Sequence, residues 1–336
     1  MGDDAQWQRK DSNWPKDEFG RHEMFAQLWA WLPLVGLVCL SAIALIKAHS
    51  RAQQVVVAYV SQDQVYAEPI FREFEKAIGL KVRSVFDSEA VKTVGLANRL
   101  LAEKEHPQCD LFWGNEEMRT RLLAAKGVFR EPNGWAAFGY RSRRLVINTN
   151  RLSISSAPHS LLELTNSNWR GKVALAFPQF GTTGAHFCAL RQHWGDAAWE
   201  SWCRALAANK PFLVDGNSVV VKLVAQREAW VGMTDSDDIA DGQREGLPVA
   251  ALPMNEETLL IPNTVALTQG APHLGAAQQL FDFLQRPEIV KQLVAAHALE
   301  GISIGEVKEP TLKVNWGELL KDLETTTAKL NAIFLR

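Results

Sequence analysis

Short apolar, β-branched runs alternate along this chain with longer stretches in which apolar residues return every three or four positions. Val55–Val60 (VVVAYV) is apolar throughout, as in a strand buried on both faces. Glu68–Gly79 then carries Ile70, Phe71, Phe74 and Ile78 at helical spacing and ends on a glycine. Leu80–Phe86 reads as a strand, Glu89–Lys104 as an amphipathic helix, Cys109–Gly114 as a strand and Glu116–Gly127 as a helix. This β-α-β-α-β order predicts a parallel sheet covered by helices. Ligands of such sheets sit beyond the carboxyl ends of the strands, so the loops to inspect are 61–66, 87–90 and 114–117.

An extended stretch, Arg141–Asn150, and a Ser/Pro-rich loop separate this series from a second one. Strands are expected at Lys172–Phe177, Pro211–Val214 and Ala229–Thr234, and helices at Thr183–Gly195, Ala197–Asn209 and Ser218–Glu228. Two further strand-like stretches return at 246–269, followed by helices at Leu274–Gln285 and Pro287–His297 and an amphipathic C-terminal helix from Trp316. The pattern is an α/β chain of two lobes, 54–148 plus 254–336 and 149–253, each a mostly parallel sheet flanked by helices. A cleft between such lobes binds small ligands.

The N-terminus changes the picture. Residues 1–24 are polar, and Leu28–Ile46 then runs without a charge, long enough as a helix to span about 30 Å of hydrocarbon. Residues 25–47 are expected to be either an uncleaved signal anchor or a cleaved signal peptide, with Ser41–Ala44 offering a cleavage pattern. Either way the protein is exported, to the periplasm or an equivalent extracytoplasmic space. A formal net charge of −2 gives no global field for nucleic acid. With Cys39 in the apolar segment, Cys109, Cys188 and Cys203 remain; they read as buried thiols, with a Cys188–Cys203 bridge between neighbouring helices as the alternative.

The order and spacing of VVVAYVSQD, FREFEKAIGLKV, CDLFWGNEE, YRSRRLVINTNRL, WRGKVALA, NSVVVKLV and LFDFLQRPEIVKQL resemble the extracytoplasmic solute-binding proteins of ABC importers, in the ferric-ion-binding branch of the type II periplasmic-binding fold. The resemblance covers roughly residues 54–300 and implies a monomeric receptor that closes on its solute and delivers it to an ABC permease of the inner membrane. In that branch a histidine and a carboxylate from one lobe and two adjacent tyrosines from the other hold the metal beside a small anion. Here the histidine slot falls at Asp63, the carboxylate slot at Asn115 with Glu116 beside it, and the tyrosine slots at Ser236 and Asp237, so all four have changed type. The anion half survives better: Thr183, Gly184 and Ala185 keep the helix-start pattern, and Asn217 and Ser218 match the second anion contact. Independently of any family, helix N-termini present unpaired N–H donors and a partial positive end.

Two accounts of Asp235, Asp237 and Asp238 stand side by side. Asp235 caps a helix whose first turn favours acids, or the three carboxylates await a cation with Asp63 and Glu116 facing them. Of these, Asp63, Glu116 and Asp237 are the expected metal ligands. Ser61, Gln62, Tyr66 and Trp113 stand at strand ends and either line the cleft or belong to the core. Arg141, Arg143 and Arg144 read as hinge or surface charges, one of them able to meet an anionic ligand, and His186 and His193 as solvated or core residues. No G-x-S-x-G elbow, Walker loop, H-E-x-x-H or C-x-x-C occurs, so an enzyme is not expected. The expected solute is iron or another cation with a companion anion, and no resident cofactor. An organic or phosphorylated solute, such as a phosphonate, thiamine or a polyamine, is the alternative, and a membrane-tethered sensor of the same fold is the other.

Overall fold

In the computed structural model, residues 55–86 and 94–335 are described, all within one compact unit, Gln53–Arg336. The polar tail, the apolar segment 25–47 and the 87–90 loop lie outside the described residues. Among the described residues no helix is long and apolar enough to cross a membrane.

The first series forms β1 (Val55–Val60), β2 (Lys81–Phe86) and β3 (Leu111–Gly114), with β1 parallel to both others. The helices between and after them are α1 (Gln64–Ile78), α2 (Val94–Ala102) and α3 (Glu117–Ala125). Helix α1 starts four residues earlier than the pattern suggests. Pro69 looks like a first-turn residue, but the N–H groups of Tyr66 and Ala67 already donate to the Asp63 carbonyl.

The second series forms β5 (Val173–Ala176), β6 (Phe212–Val214) and β7 (Val231–Asp235), with β5 parallel to both neighbours. Its helices are α4 (Gly181–Trp194), α5 (Asp196–Ala208), α6 (Asn217–Ala225) and α7 (Ser236–Arg244). Gly232 lets α6 approach β7 closely, since a Cβ there would lie 2.4 Å from a methyl of Val220.

Two long antiparallel strands join the series. The first is β4 (Trp135–Asn148); its first half pairs with β9 (Leu260–Leu267), its second with β7 and the short β8 (Val249–Ala251). The sheet order is β2-β1-β3-β9-β4-β7-β5-β6, with β8 also on β4. The changeover falls at Ser142 and Arg143: Ser142 pairs with Leu260 of β9, Arg143 with Asp235 of β7. A strand was expected only from Arg141; Gly139, at φ +56°, sits in a bulge that masks the alternation before it.

Helices α8 (Leu274–Leu284) and α9 (Pro287–Ala295) cover the first sheet with α1, through Phe74, Leu280 and Phe283. The last helix, α10 (Trp316–Phe334), turns Leu319, Leu323, Leu330 and Phe334 into the core of α4 and α5 instead, where Phe334 meets Phe187 edge to face at 5.9 Å. Cys188 and Cys203 share that core as free buried thiols, so the bridge considered between them is not formed.

Candidate functional site

The carboxyl ends of β1, β3, β5 and β7 converge with β4 on one cavity of about 70 Å³. Its walls come from both series: Asp63, Asn115 and Arg141 on one side, and the starts of α4, α6 and α7 on the other.

Asp235 ends β7 and occupies the N-cap position of α7, yet its side chain caps nothing. Antiparallel register places it opposite Arg143, whose Nη1 donates to Asp235 Oδ1 at 2.7 Å and to Asn217 Oδ1 at 2.9 Å. The Thr182 hydroxyl donates to Asp235 Oδ2 at 2.8 Å. Two residues back on the same strand face, Arg141 donates to Asp237 Oδ2 at 2.7 Å and to the Asn115 carbonyl at 3.0 Å, and lies 3.4 Å from Asp235. Both guanidiniums are buried. Arg141 and Arg143 are therefore neither surface charges nor bare hinge residues; they are internal counter-ions of the acid cluster. Alternate positions on one strand project to one face, and that was the available signal in RSRR.

The arginines do not satisfy the cluster equally. Burial alone would raise Asp235, but Arg143, Arg141 and the Thr182 hydroxyl outweigh it and hold the carboxyl below its ordinary value. Burial pushes Asp237 up to about 6, with Asp235 and Asp63 adding to it against Arg141. Half-buried Asp238 is held well above its usual range by burial and by Asp237 and Asp235. Asp237 Oδ1 is buried without a hydrogen-bond partner. One ligand atom from each of Asp235, Asp237 and Asp238 falls within 4.8 Å of the others, a spacing that a hard cation can bridge.

Opposite these acids stand two helix starts. Helix α4 begins at Gly181, at φ +53°, rather than at Thr183, and the Gly184 N–H already donates to the Phe180 carbonyl at 2.8 Å. Its unpaired donors are thus those of Gly181–Thr183; Gly184 and Ala185 are already inside the helix. The Thr183 hydroxyl lies 3.4 Å from Asn217 Oδ1, and Asn217 and Ser218 open α6.

The other expected residues are placed as follows. Glu116 is the N-cap of α3, both carboxylate oxygens accepting the Arg119 N–H at 3.1 Å, and it is not among the cavity's lining residues. Burial pushes it up to about 7. The Ser236 hydroxyl accepts the Ser142 N–H at 3.1 Å, tying α7 to the centre of β4. Gln62 bonds to Asn263 at 2.8 Å, and Ser61 donates its N–H to the Trp113 carbonyl at 2.8 Å. Trp113 is core, 5.6 Å from Phe71. Tyr66, on α1, sends its hydroxyl to Asp241 and receives Arg244 Nη2 at 2.9 Å, both on α7, so it joins the two walls. His186 is buried, its Nε2 2.7 Å from the Glu257 carbonyl.

Two sheets sharing crossing strands, with a polar cavity at their carboxyl ends, define a two-lobed binding fold. The chain belongs to the family described as bacterial extracellular solute-binding proteins, which it matches over residues 55–297. It is similar to the Fe(3+)-binding periplasmic protein of Serratia marcescens, 30% identical over 193 residues, 52% of this chain and 55% of that protein. The chain thus spans little more than half the length of this curated relative. Iron-bound HitA of Pseudomonas aeruginosa superposes with a TM-score of 0.72 at 17% identity, over 82% of this chain and 99% of that one. AfuA of Actinobacillus pleuropneumoniae, with fructose-6-phosphate bound, gives 0.70 at 17%, over 83% and 98%. These two are likenesses of fold. The resemblance to the ferric-ion-binding branch holds in sequence and in fold.

Proposed function

We propose that this chain is an extracytoplasmic receptor that takes up a small cation together with a companion anion and presents it to an ABC permease. One observation carries the reading: underneutralised carboxylates and the open ends of α4 and α6 line the same 70 Å³ cavity. Asp63, Asp237 and Asp238 are the cation side. The backbone N–H groups of Gly181–Thr183 and of Asn217, whose side-chain amide already donates to Thr182 and Asp235, are the anion side. Iron is the first candidate cation, because the Serratia relative is named for Fe(3+) and hard metals take oxygen ligands.

The two lobes of this proposal are those expected from the sequence, except that α10 travels with α4 and α5, and β4 and β9 form the hinge. Ligand contacts from both sides would then stabilise the closed arrangement. Tyr66, bonded across to Asp241 and Arg244, supports such closure. A sugar phosphate is the second reading, favoured by the likeness to AfuA, but a 70 Å³ space must widen to take one.

The test is thermal unfolding of the full chain in mild detergent with ferric citrate, manganese, phosphate and fructose-6-phosphate. A ligand at 100 times its dissociation constant adds about 2.7 kcal/mol. A metal must shift the transition, more so with its anion; a shift with sugar phosphate and none with any metal overturns the cation reading.

A further inference from the structure

A second cavity, of about 140 Å³, lies beside β4 and β7, away from the cleft just described. Leu145, Leu161, Met233, Leu252 and Met254 supply apolar walls, and exposed Ile154 stands at its rim. Two of its lining side chains, Arg143 and His186, are at least nine-tenths buried and keep polar atoms without partners.

Those atoms are complementary. Arg143 uses Nη1 for Asp235, Asn217 and Thr182, leaving Nε and Nη2 unpartnered. These two nitrogens form one edge of the guanidinium, the fork that receives both oxygens of a carboxylate. The His186 ring is neutral, because burial pulls it down to about 3. A carbonyl only accepts, so Nε2 carries the proton donated to Glu257, and the unpartnered Nδ1 is an acceptor. Glu257 itself, the lining residue of opposite sign, is engaged by Ser160 and the Leu161 N–H.

We infer that this cavity is a second binding site, for a short 2-hydroxy carboxylate whose carboxylate sits on the free edge of Arg143 and whose hydroxyl donates to His186 Nδ1. Size limits the guest: an apolar cavity of about 150 Å³ holds benzene, so six or seven heavy atoms fit here. A lone anion such as sulfate leaves the apolar walls and the His186 acceptor unused, and a plain fatty acid leaves the acceptor unpaired.

The site is tested by isothermal titration of the full chain in mild detergent with lactate, propionate and 2-propanol. Lactate is expected to saturate one site; propionate, lacking the hydroxyl, binds about tenfold more weakly, and 2-propanol gives no saturable heat. Met254→Trp fills the cavity while leaving Arg143 and His186 in place in the sequence and must abolish lactate binding, with Ile154→Trp, at the exposed rim, as the second blocking variant. Asp237→Asn, in the other cavity, must retain it. No saturable heat with lactate, equal affinity for propionate, binding that survives both tryptophan variants, or binding lost in Asp237→Asn would each overturn the site.

Discussion

Replacing Asp237 by asparagine isolates the charge imbalance of the cleft. The wild-type carboxyl titrates near 6 in the fold, against roughly 3.9 for an unfolded aspartate. Between pH 4 and 6 the folded protein therefore holds a proton that the unfolded chain has released. Stability rises with pH only where the unfolded state binds more protons, so here it falls. The contribution of Asp237 is fully present below about pH 4 and lost above about 6. Two units at about 1.4 kcal/mol each give roughly 3 kcal/mol. Asparagine cannot titrate, so the stability difference, wild type minus Asp237→Asn, must drop by that order across the window. Taking the difference removes the parallel slope of Glu116, also raised by burial; Asp238, which Asp237 helps hold up, titrates lower in the variant and adds a share of the same sign to the difference. A cation competes with the same proton: at pH 5 wild-type metal affinity is about tenfold below its plateau for this group alone, and the variant loses that part of the pH dependence together with affinity. Urea unfolding at pH 4.5, 5.5, 6.5 and 7.5, with metal titrations at the same points, measures both. A stability difference that stays flat or rises with pH refutes the assignment of Asp237 as a carboxylate short of positive charge.

Arg143→Met leaves Asp235 buried without its main counter-ion and costs about 3–5 kcal/mol, read from urea midpoints. Gly232→Ala places a methyl 2.4 Å from Val220, so either α6 shifts or the strand strains; a loss of about 1–3 kcal/mol is expected, with weakened anion binding because Asn217 opens α6. Tyr66→Phe deletes the hydroxyl that meets Asp241 and Arg244; loss of about 1 kcal/mol from the closed arrangement lowers ligand affinity several-fold, while small-angle scattering shows a larger radius of gyration.

The alternation of strand and helix was legible because the inner strands β3, β5 and β7 are buried throughout and read as apolar runs, as in VALA and VGMT, while the edge strand β2 is partly exposed and carries Lys81 and Arg83. Boundaries were less so. Gly181, which looks like part of a turn, is the first residue of α4, and this moves the unpaired donors two residues back from the Thr183–Ala185 segment. The acid cluster stood out as a cluster, but its partners did not. Arg141 and Arg143 lie more than ninety residues away in sequence, and only antiparallel pairing of β4 with β7 sets Arg143 against Asp235. Glu116 was read as a ligand because it stands beside Asn115 at the carboxylate slot of the family resemblance; its carboxylate accepts the Arg119 N–H and holds the start of α3, the common fate of an acid preceding a helix.

Strand β4 has a mechanical corollary. It belongs to both sheets, and its change of partner falls between Ser142 and Arg143, inside the very segment that carries the two buried arginines. A body turning about a fulcrum displaces its rim most and its pivot least. Under the closure proposed above, the ion pairs of Arg141 and Arg143 at the pivot would keep their register, whereas the contact of Tyr66 with Arg244, farther out, would make and break. On that proposal the two arginine pairs would hold while the outline changed, and the outline is what a docking partner would feel.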